Sequence, residues 1–110
     1  MQYEFKESDW KLFRKQLPKW QEDFMDKLNH EYIDLLNGNG QASDKFWSLE
    51  KRIKEDKKNT GVICRDMRRS DLFFDIVELV SEGAITIEDL SDFSPELRDA
   101  VKGRMAMNWD

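Results

Sequence analysis

The stretch SDLFFDIVELVSEG, residues 70–83, constrains the fold more than any other part of the chain. Leu72, Phe73, Phe74, Ile76, Val77, Leu79 and Val80 make its densest apolar run. At helical spacing these residues spread around most of the circumference instead of lining one stripe, as in a helix enclosed on several sides. The run is long for a strand, and Asp75 and Glu78 fall three apart on one face, so the spacing predicts a helix, extended here over residues 66–82. Ser70 offers an N-cap oxygen, Asp71 a negative charge in the first turn, and Gly83 the left-handed residue that closes the far end. Aspartate in place of Phe74 or Val77 is expected to unfold the protein.

The other elements follow from their punctuation. Trp10, Phe13 and Leu17 recur at helical spacing after Ser8 and Asp9, which predicts a helix over residues 8–16. Pro18 is expected to break or kink it and to open a second helix over residues 18–37, on which Trp20, Phe24, Leu28, Tyr32 and Leu35 form one stripe. The glycines of NGNGQ end that helix, with Gly38 in the C-cap conformation. Ser43 and Asp44 start the next, over residues 44–58, with Phe46, Leu49 and Ile53 on one face and Trp47 beside them. Thr86 with Asp89 resembles a capping box and opens a short turn ending near Ser91. Ser94 followed by Pro95 and Glu96 starts a last helix over residues 95–107. The expected fold is therefore all-α, a single compact domain over residues 1–110 with four or five helices around the central apolar one.

Composition bounds the setting. One hundred and ten residues suit one domain, and seven Phe with four Trp supply core volume despite a charged fraction of 37%. Cys64 is the sole cysteine, so no internal disulfide forms, and no apolar stretch near the N-terminus has the pattern of a signal peptide. Both point to a reducing, cytoplasmic compartment. No segment approaches the roughly 20 apolar residues of a membrane span. The net charge of −5 is unevenly spread: residues 51–69 carry eight basic and three acidic side chains, while residues 70–110 carry three and ten.

The segments KFWSLEKRIKEDKKNTGV and SEGAITIEDLSDFSPELRDAVK resemble those shared by a group of small uncharacterised bacterial helical proteins, over roughly residues 40–105. The resemblance implies a bacterial, cytosolic protein and brings no catalytic residues with it.

Sites of chemistry are few. Aligning Gly83 with the glycine of a calcium loop puts Glu78, Val80 and Glu82 at the first three ligand positions and Asp89 at the last, where valine cannot ligate and aspartate is too short. His30 has no second histidine near it, and zinc needs several converging ligands. Arg65 and Arg68 could lower the pKa of Cys64, but small buried cysteines are commoner than reactive ones. The acidic pair Asp75 and Glu78 suits a wet helix face as well as acid–base work. No phosphate loop and no nucleophile elbow is present. The expectation is a chain with no catalytic residue, no cofactor and no metal.

Two surfaces remain. The basic block, Lys51, Arg52, Lys54, Lys58, Arg65, Arg68 and Arg69, could face phosphates or an acidic protein surface. The aromatics Trp10, Phe13, Trp20, Phe24, Trp47 and Trp109 could form an interface, or wrap the central helix instead. The preferred expectation is a non-catalytic module that binds protein, itself or another chain, with a small nucleic-acid-associated regulator as the alternative and no membrane partner.

Overall fold

The computed structural model describes residues 5–64 and 66–107. Among them the chain forms four α-helices and no strand: α1 (Glu7–Leu36), α2 (Ala42–Asp56), α3 (Leu72–Ser81) and α4 (Pro95–Met107). Two short 3-10 turns, Arg69–Asp71 and Ile87–Leu90, lead into α3 and α4.

The core is built around α3, as the apolar run demands. Leu72, Phe73, Ile76, Val77 and Leu79 are buried against Trp10, Phe13, Leu17 and Trp20 of α1, Leu97 and Val101 of α4, and Ile85, Leu90 and Phe93 of the connection. Phe74 is the exception: it is 48% exposed, so the expectation that an aspartate there unfolds the chain is corrected, while Val77 at 7% keeps it. The helix also starts later than residue 66. Residues 66–68 are irregular, Asp71 takes the N-cap position, and neither it nor Ser70 makes a side-chain cap bond. Its far end closes as expected: Gly83 has φ +80°, and the N–H groups of Gly83 and Ala84 donate back to the carbonyls of Val80 and Leu79 at 3.1 and 2.9 Å.

Pro18 does not divide the first segment. α1 runs unbroken for 30 residues through it. Pro18 lies on the exposed face, where water can reach the carbonyl of Arg14 that loses its partner, while Phe13 and Leu17 before it and Trp20 and Phe24 after it are buried on the same side. Burying that stripe along a single axis outweighs the proline's local cost. The start is Lys6 and Glu7 instead of Ser8, and the C-cap is Asn37 instead of Gly38. The positive φ in the following turn falls on Gly40, at 133°. α2 opens at Ala42 after Gln41, without a cap bond from Ser43 or Asp44.

Two local signals hold. Thr86 and Asp89 form the capping box, with the Thr86 N–H donating to the Asp89 carboxylate at 2.8 Å. Ser94 caps α4 by accepting from the Leu97 N–H at 3.2 Å. Its own N–H and hydroxyl donate to the buried carboxylate of Asp9 at 2.8 and 2.6 Å, so one α1 side chain anchors the start of α4.

Only the first half of α1 lies in this core. α2 has no buried residue and packs on the second half of α1, making a helical hairpin that extends from the body. The Cα radius of gyration is accordingly 16.4 Å, against about 13 Å for a compact domain of this length.

The joint between arm and body is polar. Thr60 is buried, its N–H donates to Glu82 at 2.6 Å, its hydroxyl donates to Glu78, and its carbonyl accepts from the Gln21 amide at 3.1 Å. Gly61 follows because nothing larger fits: a Cβ there would lie 2.5 Å from the Phe24 ring and 3.0 Å from the Ala84 side chain.

Candidate functional site

Of the nine large hydrophobic residues exposed among the described ones, five lie on the arm. Along α1, Asn29, Tyr32, Ile33 and Leu36 share one side by helical spacing, and Phe46 and Ile53 share the matching side of α2. A groove of about 260 Å³ between the two helices is lined by Met25, Leu28, Tyr32, Ile53 and Val62, with Asn29, Asp56 and Lys57 as its polar members. Exposure along this side is high: Ile33 52%, Leu36 42%, Phe46 62% and Ile53 39%. Trp47 is 63% exposed and meets the Phe46 ring edge-on at 4.9 Å between centroids.

Polar contacts hold the two helices of the hairpin together, and two of the residues that make them, Tyr32 and Asp56, line the groove. Arg52 donates to Glu31 at 2.5 Å, lies 3.4 Å from Asp56, and stacks its guanidinium over the Tyr32 ring. The Tyr32 hydroxyl donates to Asp56, and burial, with Asp56 beside it, pushes its pKa up to about 12. These bonds fix how the two helices are registered and leave the apolar side uncovered by the chain itself.

The interface residues suggested by the sequence divide accordingly. Trp10, Phe13, Trp20 and Phe24 are buried and belong to the interior, so they are not open to a partner. Trp47 is exposed on the arm. Trp109 lies outside the described residues. Ile33, Leu36 and Ile53, which the sequence did not single out as interface, are exposed on the arm like Phe46. The signal was present in the helical spacing, but nothing local distinguishes a stripe that meets a core from one that meets solvent.

Several members of the basic block already have acidic partners. Arg52 is engaged by Glu31 and Asp56, Arg69 by Glu7 at 2.7 Å, and Lys58 by Glu55 at 3.4 Å. Arg68 lies 3.9 Å from Asp66, Lys51 and Lys54 point outward from α2, and Arg65 is outside the described residues.

A second depression, about 450 Å³, lies between the joint and the start of α3 and is lined by Lys57, Lys58, Cys64, Asp71, Asp75 and Glu78 with their neighbours. The Cys64 thiol faces the Asp75 carboxylate at 3.8 Å. Burial and the nearby carboxylates push its pKa up to about 11, the reverse of the activation that Arg65 and Arg68 were considered to provide. Asp75 is pushed up to about 6 by burial, with Asp71 and Glu78 adding repulsion. Glu78 and Glu82 of the considered calcium loop are turned to Thr60 and Gly61, and Asp89 to Thr86. Among the described residues no three potential metal ligands converge, and His30 is exposed beside Asp26.

The Asp75 shift has a sign that can be checked. Its folded pKa lies above the 3.8 of a free carboxyl, so its contribution to stability is complete below that value and is lost as the pH rises through about 6. Asp75→Asn removes the charge, and at pH 7.5 it is expected to stabilise the protein by about 1 kcal/mol, the shift being discounted because the group is half exposed. At pH 5 the gain should largely vanish. Urea unfolding of both proteins at the two pH values measures it, and an equal gain at both would contradict the assignment.

Among the described residues, no helix is long and apolar enough to cross a membrane. Comparison with known proteins finds no matching family model, no matching curated protein and no matching solved structure.

Proposed function

We propose that this chain is a non-catalytic, cytoplasmic interaction module that binds protein through the apolar side of its α1–α2 arm. The observation that carries the reading is the exposure of four large apolar residues, Ile33, Leu36, Phe46 and Ile53, on an element that contributes little to the core. Contiguous apolar surface with aromatic residues marks interaction sites. The polar groups that could do chemistry serve structure instead: Glu78 and Glu82 hold the joint, Asp9 anchors α4, and the Cys64 thiol is kept protonated.

Phe46→Glu and Ile33→Glu test this. Both sites are exposed, so circular dichroism and melting temperature should stay near wild type while association, read by light scattering and by capture of a purified partner, is lost. Unchanged association in both variants would overturn the reading.

The alternative, nucleic-acid contact through residues 51–69, has less support because Arg52, Lys58 and Arg69 already face carboxylates. It requires a salt slope of about −0.9 per phosphate contacted on duplex DNA. Affinity that is independent of salt excludes it.

A further inference from the structure

The charges bordering the apolar side of the arm select its partner. By helical spacing, Glu22 and Asp26 run along the outer edge of α1, beyond Asn29 and next to Ile33. Lys54 lies on the outer edge of α2 beyond Ile53 and Phe46, with Glu50 beside it, and Lys57, the C-cap residue, continues that edge at the mouth of the groove, which it lines. The wider segments share the bias: residues 19–36 hold five acidic and two basic side chains, and residues 42–58 hold four and six. In cross-section the surface therefore reads acidic edge, apolar middle, basic edge.

Such a surface is its own complement under one two-fold operation and not under another. An axis running along the arm, between two stacked copies, lays α1 of one copy over α2 of the other, acid over base and apolar on apolar. An axis across the arm lays α1 on α1 and α2 on α2, like charge on like. The bonds from Tyr32 to Asp56 and from Arg52 to Glu31 set the register within each arm. They put Asp26 and Lys57 near the arm's base, within about one helical turn of each other along its axis. The Asp26 carboxylate is available: the His30 ring bonds the Asp26 backbone carbonyl at 2.8 Å and stays 4.0 Å from the carboxylate, and both side chains are about three-quarters exposed.

We propose that the partner is a second copy of this chain, the two arms lying side by side and pointing the same way in a four-helix bundle, with Asp26 of each copy facing Lys57 of the other. Helices that neighbour across this contact run antiparallel, as in ordinary four-helix bundles. The proposal rests on the arm's apolar side being a protein-binding surface.

Sedimentation equilibrium of the full chain tests both levels separately. The wild type should be a dimer. Asp26→Lys and Lys57→Asp, each placing two like-charged contacts in a symmetric dimer, should each weaken it by roughly tenfold or more. The double variant should return to within a few-fold of wild type. A wild type that stays monomeric at the highest attainable concentration, or a dimer indifferent to both reversals, overturns the pairing. Phe46→Glu distinguishes the causes. A dimer lost in Phe46→Glu but indifferent to the reversals overturns the charge-directed arrangement and leaves the arm as the binding surface. A monomer whose capture of a different protein is lost in Phe46→Glu overturns the second copy and also leaves the arm. A dimer that survives Phe46→Glu unchanged overturns the arm reading and the proposal with it.

Discussion

Ile76→Asp is expected to abolish cooperative folding. Ile76 is fully buried at the centre of α3, among apolar residues of α1 and α4 that offer a carboxylate no partner. An uncompensated charge in such a place costs several kcal/mol even after the structure relaxes, against a total stability of about 5 to 15 kcal/mol for a domain. The variant should show reduced helical ellipticity at 25 °C and no sigmoidal melt. Phe46→Asp, on a site 62% exposed, is the control and should melt within a few degrees of wild type. A cooperative transition for Ile76→Asp near the wild-type temperature would mean that α3 is not the centre of the core.

Asp9→Ala is expected to cost about 3 kcal/mol, because it removes a buried acceptor with two short bonds and leaves the Ser94 N–H without its partner. The carboxylate also sits at the N-terminal end of α4, where the helix dipole favours negative charge. Urea unfolding should show a lower midpoint with an unchanged slope. In a double-mutant cycle, Ser94→Ala should add little to Asp9→Ala, since the two side chains act as one anchor. A loss below about 1 kcal/mol for Asp9→Ala would show that water replaces the carboxylate without penalty.

What was legible in the sequence was local. Gly83 ends α3, Ser94 with Pro95 opens α4, and Thr86 with Asp89 caps the turn before it, because each signal lies within one turn of the backbone it satisfies. The apolar run of residues 72–80 made the central helix readable, although not which ring faces out, since Phe73 and Phe74 differ only in a direction set by the neighbours. Pro18 misled because the argument against it was local and the burial of Phe13, Leu17, Trp20 and Phe24 that overrides it is not. Asp9 suited the dipole of its own helix but serves one 85 residues further on. The division of the aromatics was hidden for the same reason: Trp20 and Trp47 both stand on amphipathic helices, and only the arrival of α3 and α4 over the first half of α1 separates them.

The lack of any buried residue in α2 divides the molecule into two units of unequal local stability. Amide protons in α3 and α4 are released by hydrogen exchange only when the core opens, whereas those of α2 need only the rupture of a few polar contacts to α1. A ligand that covers the arm therefore acts on an equilibrium separate from the one that sets the melting temperature. Its binding registers first as slowed exchange in residues 42–56.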